Sequence, residues 1–487
     1  MATHHLAADF GAESGRLMLG TLSEGRLGLR EIHRFPNTPI QSHGSLHWNV
    51  PELFRELKIG LGKAGQLRLP ISSFACDSWG LDYILFDQAG EVIPPSFHYR
   101  DPRSNRGVAN AHERVPAKRL FAETGIQFMP FNTAFQLAAE TPERLSRVHR
   151  LLMIGDAFNY LLGGEAKAEE SLASTSQLYN PTTRSWSDAI IQALGLPREI
   201  FPAIIPSGTR LGGLRPEIRK ETGLGDLSVV ASCSHDTGSA VAAVPATGTH
   251  WAYLSSGTWS LLGVESPVPI ITEACRELNF TNEIGHGGTV RLLKNLVGLW
   301  IVQECRRTWA SEGNTLDYSR LTELASAAPP FVSLIDPSDP RFLSPGGMAG
   351  KVADFCKETG QAEPAEVGAT IRCVLESLAL LYRRTLRQVE RITGSRVQKL
   401  HVVGGGSQNA LLNQFAANAT EIPVLAGPSE ATAAGNILVQ AIALGYLPSL
   451  RQAREIVRNS SQITIFEPQA KVDWDRARER FERLVTK

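Results

Sequence analysis

The sequence predicts an α/β fold in two halves, and three observations carry that prediction. Short apolar runs of strand character alternate with amphipathic helical stretches along the chain. Two strand–turn–strand segments with the same style of Gly- and hydroxyl-rich bend stand far apart, one beginning near residue 6 and one near residue 251. Just before the second of them, residues 227–233 read as a buried strand and residues 239–244 as a helix of small side chains. Ser234, His235, Asp236, Thr237 and Gly238 therefore fall where a strand's carboxyl end turns into a helix N-terminus. In an open α/β sheet that crevice is where ligands sit. A nucleotide pinched between two related halves would need such an arrangement.

At 487 residues the chain exceeds what one core supports and suggests two or three domains. The expected divisions are 1–245, 246–450 and a charged helical tail, 451–487, packed on the second half, with the Pro-, Gly- and Thr-bearing stretch 245–249 as linker. Lys plus Arg and Asp plus Glu number 49 each, and no basic block stands out, which argues against a nucleic acid or membrane-surface partner. Six cysteines (Cys76, Cys233, Cys275, Cys305, Cys356 and Cys373) include no Cys-x-x-Cys, so neither a zinc site nor a dense disulfide framework is indicated and a reducing cytoplasm is expected. Cys356 and Cys373 are near enough in sequence that pairing stays open. No signal-peptide pattern occupies residues 1–10, and no run approaches the ~18 apolar residues of a membrane span.

Residues 6–10 lead through Gly11, Ala12, Glu13, Ser14 and Gly15 into residues 16–19, a strand, a tight turn and a strand. Gly11 and Gly15 would let backbone N–H groups approach an anion, and Ser14 adds a hydroxyl, which together suit a phosphate. Asp9 at the strand end could hold a hydrated Mg²⁺ through water. The plain alternative is an ordinary Gly-containing hairpin. After a strand at 27–35, Asn49 precedes an amphipathic helix with Pro51 in its first turn. A strand at 71–76 ends in Asp77, Ser78, Trp79 and Gly80, followed by Asp82 and the apolar run 83–86. Such a corner suits a sugar, with core packing the equal alternative to ligand stacking for Trp79. Residues 99–103 read as a charged turn with a surface ion pair, and 117–222 as a mixed, helical elaboration of the first half.

Beyond the linker, residues 251–254 form a strand, Ser255, Ser256, Gly257 and Thr258 its bend, and 259–264 the return strand; hydroxyls and Gly N–H groups here could grip the far side of a polyphosphate. In residues 291–307, Leu292, Leu293, Leu296, Leu299, Trp300 and Val302 recur at helical spacing, interrupted by Asn295 and Gln303, and an apolar helix face is the plain reading. A strand at 399–403, enclosed by helices near 367–392 and 431–443, runs into Gly404, Gly405 and Gly406. Asn409 stands where the third glycine of a dinucleotide fingerprint belongs, and no Walker lysine is present. A flat glycine surface against which an adenine lies fits better. Asp236 has helix capping as its plain reading.

Three small-residue elements at 9–16, 254–260 and 403–409, with the acidic stretch 235–237 between them, resemble those of the sugar kinases of the FGGY group, within the actin-like ATPase (ribonuclease H-like) fold. Residues 33–37, 77–82, 99–103, 131–133, 234–237, 253–263, 293–303 and 402–414 support the resemblance, the run 294–300 most specifically. It implies two actin-like domains with an ATP/sugar cleft, the first carrying the sugar site and phosphate loop and the second binding nucleotide. Carried over position by position, it implies Asp236 as proton acceptor for the carbon 1 hydroxyl of a ketose. Ala12, Glu13, Ser14, Gly15, Arg16, Thr258, Gln303 and Gly405 would contact ATP, and Gly80, His235, Asp236, Thr237 and Asn295 the ketose. The implied reaction makes L-rhamnulose 1-phosphate and ADP from L-rhamnulose and ATP with Mg²⁺, in a cytoplasmic monomer or weak homo-oligomer. Alternatives are another ketose, such as L-fuculose or D-xylulose, or a sugar-indifferent actin-like ATPase. Glu13 departs from the pattern, since many relatives carry a second serine there; a carboxylate in a phosphate loop repels its ligand unless it points away or meets the metal.

Overall fold

A computed structural model describes residues 2–469 and 471–485; Met1, Ala470, Thr486 and Lys487, the last three part of the expected tail, lie outside the described residues. The chain forms two compact units, each drawn from three segments: Met1–Pro245, Glu265–Leu292 and Ala431–Ser461 in the first, Ala246–Val264, Leu293–Glu430 and Gln462–Lys487 in the second. Each unit is thus discontinuous in sequence. The physical reason lies in the helix Ala431–Ala443, which belongs to the first unit's sheet: its Gln440 Nε2 donates to the Leu6 carbonyl at 2.9 Å. The helix Leu450–Ser460 follows it, with the Leu27 N–H donating to Ser460 Oγ at 2.8 Å, so the tail is shared between the units.

The first unit is built on a six-stranded sheet in the order Thr209–Gly213, Ser228–Ala231, Ile71–Ser78, Thr3–Phe10, Ser14–Ser23, Arg26–Pro36. Thr3–Phe10 pairs antiparallel with Ser14–Ser23 and parallel with Ile71–Ser78, which in turn pairs parallel with Ser228–Ala231. Alternation along these strands sorts the side chains by face. Leu6, Ala8, Phe10, Phe74 and Cys76 enter an apolar core with Leu53, Leu57, Leu61 and Phe158. His5, Asp9, Ser73 and Asp77 occupy the alternate positions and are buried as well. The helix Val50–Gln66 supplies the leucines; Asn49 caps it, its side chain accepting from the Glu52 N–H, and Pro51 sits in its first turn as predicted.

Two local readings give way. Residues 99–103 are not a surface ion pair: Asp101 is buried and accepts from Ser45 Oγ and the Leu46 N–H, both at 2.6 Å, while Arg103 lies over the Phe97 ring and pairs with Glu140. Residues 291–307 are not one helix, since Val290–Val297 is a strand and the helix starts only at Trp300. A strand that is apolar on consecutive positions mimics a helix face by periodicity. Gly298 makes the break, because a Cβ there would stand 2.6 Å from the Trp259 backbone.

A second sheet has seven strands in the order Thr281–Ile284, Val290–Val297, Trp259–Ser266, Trp251–Ser256, Lys399–Val403, Val424–Ala426, Thr464–Phe466. Trp251–Ser256 pairs antiparallel with Trp259–Ser266 and parallel with Lys399–Val403. The long helix Val367–Thr393 ends at Gly394 in the left-handed conformation. Its Tyr382 hydroxyl meets Ser260 Oγ at 2.8 Å. All six cysteines are buried free thiols. No helix among the described residues is long and apolar enough to cross a membrane.

Candidate active site

Register places the first unit's acidic groups. Phe10 pairs with Ser78 and Ser78 bridges to His235 in parallel, so three strand ends finish level. One residue back, Asp9 lies opposite Asp77 on one side and opposite Arg16 on the other. Arg16 Nη2 donates to Asp9 Oδ2 at 2.5 Å, and Asn436 Nδ2 donates to Asp77 Oδ2 at 2.5 Å. Asp77 Oδ1 is buried with no hydrogen-bond partner among the described residues. Burial, and then the charge of Asp9, push the Asp77 carboxyl well above the usual range, against the opposing pull of Asn436 and Arg16. Asn436 and Gln440 stand one helical turn apart, Gln440 Nε2 donating to Asn436 Oδ1 at 2.7 Å.

Asp236 opens the helix Asp236–Ala242, and His235 rather than Asp236 is its N-cap. The capping reading of Asp236 is therefore set aside. Its Oδ1 accepts from the Thr237 N–H at 2.5 Å and from Thr237 Oγ1 at 3.1 Å, while Oδ2 accepts no hydrogen bond among the described residues. The side chain is 31% exposed, so it is reachable. Burial of the remainder raises its carboxyl above the usual range, His235 pulls the other way and Asp9 adds to the rise. A carboxylate moved in that direction is a stronger base.

Behind this turn lies a pair of acids that carry no sequence signal, since they sit in the helical elaboration between unremarkable neighbours. Glu169 Oε2 accepts from the Ser234 N–H at 2.9 Å and from Ser171 Oγ at 2.5 Å, and Ser171 Oγ accepts from the His235 N–H at 3.2 Å. Asp156 Oδ2 accepts from the Glu169 N–H at 3.1 Å. Burial pushes Asp156 up to about 7; burial and then Asp156 push Glu169 up to about 8. On its other side His235 meets Arg291, whose Nη2 donates to Nδ1 at 3.0 Å, and Glu283, whose Oε2 is 3.2 Å from the same Nη2. Burial works against the charge of Glu283, yet Arg291 and then His235 hold its carboxyl below the usual range. Neither Glu283 nor Arg291 was singled out as a site residue from the sequence. Gly80 lies close by: a Cβ on it would stand 3.1 Å from Thr175 Oγ1 and 3.4 Å from His235 Nε2.

Trp79 belongs to the core. It is buried, its Nε1 donating to Asp82 Oδ2 at 2.9 Å beside Trp48 Nε1 at 2.6 Å. The turn at residues 11–13 is a closed hairpin: the Gly11 N–H donates to the Ser14 carbonyl at 2.9 Å, and Asn37 Nδ2 donates to the Gly11 carbonyl at 2.9 Å. A Cβ on Gly15 would collide with the Phe35 ring, so its bare Cα serves packing. Ala12 and Ser14 are half-buried, and Glu13 is exposed.

The second unit holds Thr258, Asn295, Gln303 and Gly405. The Thr258 carbonyl accepts from the Gly298 and Trp300 N–H groups at 3.2 and 3.1 Å, which ties the bend to the start of the helix Trp300–Ser311. Gln303, on that helix, has a buried Oε1 with no hydrogen-bond partner among the described residues. Gly404 has φ +82° and a Cβ on Gly406 would collide with Ser256, whereas nothing stands within 4 Å of a Cβ on Gly405, which is exposed. The first and third glycines let the loop sit on Ser256, and the middle one presents open backbone.

Residues 6–243 match the N-terminal domain, and residues 252–444 the C-terminal domain, of the FGGY family of carbohydrate kinases. The chain is 41% identical over 490 residues to a rhamnulokinase of Bacteroides thetaiotaomicron, with 100% of each chain covered. It is 41% identical over 463 residues to a rhamnulokinase of Halalkalibacterium halodurans, covering 94% of this chain and 98% of that one. A ligand-bound xylulose kinase from Lactobacillus acidophilus has the same fold, with a TM-score of 0.81 at 15% identity over 99% of this chain and 96% of that one. Plasmodium falciparum glycerol kinase with ADP gives a TM-score of 0.80 at 13% identity, covering 99% and 98%.

Proposed function

The chain belongs to the FGGY family of carbohydrate kinases, and on that premise we propose that it transfers the γ-phosphoryl group of ATP to the carbon 1 hydroxyl of L-rhamnulose, giving L-rhamnulose 1-phosphate and ADP. The observation that carries the choice of ketose is the full-length identity of 41% to a rhamnulokinase. Asp236 takes the hydroxyl proton on Oδ2, the oxygen that accepts nothing from the described residues. The carbon 1 oxygen then bonds to the γ-phosphorus as its bond to the β–γ bridging oxygen breaks, and ADP leaves. Phosphoryl transfer asks chiefly for positioning and charge neutralisation, so one aligned carboxylate and a set of donors suffice.

Gly80, His235, Thr237 and Asn295 orient the ketose; Ala12 to Arg16 by their backbone, Thr258, Gln303 and Gly405 hold ATP. The exposed side chain of Glu13 points to a backbone role at that position. Mg²⁺ fits beside Asp9. No group of three or more His, Cys, Asp or Glu among the described residues is arranged to hold a metal, but Mg²⁺ keeps its waters and leans on one or two carboxylates plus substrate phosphates. The mutual charge of Asp9, Asp77 and Asp236 is what such a cation would relieve. When bound, it would offset charge on the β- and γ-phosphates. The enzyme would work in the cytoplasm as a monomer or weak homo-oligomer.

ADP release measured on a panel of ketoses tests the reading. L-Rhamnulose should exceed L-fuculose and D-xylulose in kcat/KM by about 10-fold or more. Failure on L-rhamnulose, or ATP turnover indifferent to sugar, overturns it.

A further inference from the structure

The reaction above uses one edge of the His235 ring, and the other edge is held by residues with no part in it. Arg291 is fully buried. Its Nε donates to the Ile284 carbonyl at 3.2 Å, and its Nη2 lies 3.0 Å from His235 Nδ1 and 3.2 Å from Glu283 Oε2. Nη2 meets the ring nitrogen in a hydrogen bond, whereas Glu283 Oε2, which has no hydrogen-bond partner among the described residues, meets the guanidinium as an ion pair. A guanidinium carries five N–H donors, offers no acceptor and does not give up its proton. At 3.0 Å from Nη2, the ring nitrogen must therefore bring a lone pair, because a proton on Nδ1 would set two donors against each other. Glu283 Oε2 stands farther from the same Nδ1, at 3.4 Å, and is itself ion-paired to the guanidinium, so Arg291 is the nearer partner of that nitrogen.

The consequence appears at the opposite ring nitrogen. Nε2 is 3.3 Å from Asp236 Oδ1 and faces the space beside the bare Cα of Gly80. A lone pair on Nε2 would confront a carboxylate oxygen, whereas an N–H there attracts it. The donor at Nδ1 thus decides the tautomer, and the carboxylate beside Nε2 accommodates it. We propose that Arg291 is a positioning residue that fixes His235 with its proton on Nε2, so that position 235 offers the ketose an N–H donor for a hydroxyl or carbonyl oxygen. The ketose part of this inference rests on the function proposed above; the tautomer does not. Burying an arginine is costly unless it is paired, and Glu283 supplies the pairing while His235 receives the orientation.

Nitrogen-15 spectra of protein labelled at its histidine rings test the inference at neutral pH without substrate, the His235 signals being assigned by their loss in His235→Gln. Nε2 should carry the proton and Nδ1 should be bare. In Arg291→Met, Nδ1 loses its donor: the proton should spread onto Nδ1, and the ketose KM should rise about tenfold while the ATP KM stays within about twofold. Arg291→Lys, which still donates without accepting, should keep the wild-type tautomer. A proton on Nδ1 in the wild type overturns the inference, as does an Arg291→Met enzyme with tautomer and ketose KM unchanged. The wild-type spectrum decides the tautomer even if Arg291→Met fails to fold. Absence of L-rhamnulose turnover would strike the proposed function and leave the tautomer standing.

Discussion

In the first unit the strand Thr3–Phe10 has an antiparallel partner on one side, two successive parallel strands on the other, and an antiparallel strand closing that edge. In the second unit Trp251–Ser256 is flanked in the same way, with Thr464–Phe466 as the closing strand. Equivalent positions are furnished differently. Asp9 faces Asp77 in the first sheet, and Ser255 faces Val403 in the second. The hairpin at residues 11–13 is tied by Asn37, and that at 257–258 by the backbone of residues 298–300. One backbone plan therefore supports two chemistries: carboxylates that can handle a proton and a cation, and an uncharged set of hydroxyls and glycines that a triphosphate can approach without repulsion.

Asp236→Asn is the largest test of that division. The amide keeps the acceptor for Thr237 and removes the base, so kcat should fall about 10²- to 10⁴-fold while ATP binding, measured by calorimetry, is retained. A variant that keeps its turnover would remove the chemical distinction between the sheets.

The acids behind the turn are the next test, because the first unit stores buried carboxyls there. Burial holds a proton on Asp156 up to about 7, whereas the unfolded chain releases it in the ordinary carboxylate range. Between those values the native state binds more protons than the unfolded one, so stability falls as pH rises through that window. Asp156→Asn keeps an acceptor for the Glu169 N–H and removes the ionisation. The decline in Tm from pH 5 to 8 should flatten, recovering roughly 1–3 kcal/mol at the upper end. An unchanged slope would mean that the first unit's acids are not held as described.

In the second unit the glycines give a steric counterpart. Gly406→Ala drives a methyl into Ser256 and should cost about 1–3 kcal/mol in urea unfolding. Gly405→Ala meets nothing and should leave stability within about 0.5 kcal/mol, with any effect confined to the ATP KM. Equal costs at the two positions would show that the loop does not rest on Ser256.

What the sequence made legible follows from range. The hairpins, the capped helix at Asn49 and the strand-to-helix turn at Asp236 are local patterns of period and punctuation, and each stands near where it was expected. The strand Val290–Val297 was misread because burial on consecutive positions erases the period of two. Nothing in the helix Ala431–Ala443 itself reports that Gly435 must admit the Ser239 carbonyl or that Asn436 must reach Asp77. Glu169, Glu283, Arg291 and Asn436 act through partners at least 48 residues away, or across short turns that carry no motif. Spacing along the chain does not encode those meetings.

The smallest expected effect bears on the uncharged side of the comparison. Thr258 uses its carbonyl to tie the bend to residues 298 and 300, while its hydroxyl makes no hydrogen bond among the described residues. The two roles can be separated by substitution. Thr258→Ala keeps the backbone ties and should leave Tm within about 1 °C, since no bond within the chain is lost. If the hydroxyl donates to a phosphate oxygen, the ATP KM should rise about 2- to 10-fold, the loss of one uncharged hydrogen bond, with kcat and the ketose KM little changed. Thr258→Ser, which retains the hydroxyl, should restore the wild-type value. An alanine variant with an unaltered ATP KM would place the second sheet's grip on the nucleotide in its backbone alone, and the contrast with the side-chain chemistry of the first sheet would then be sharper still.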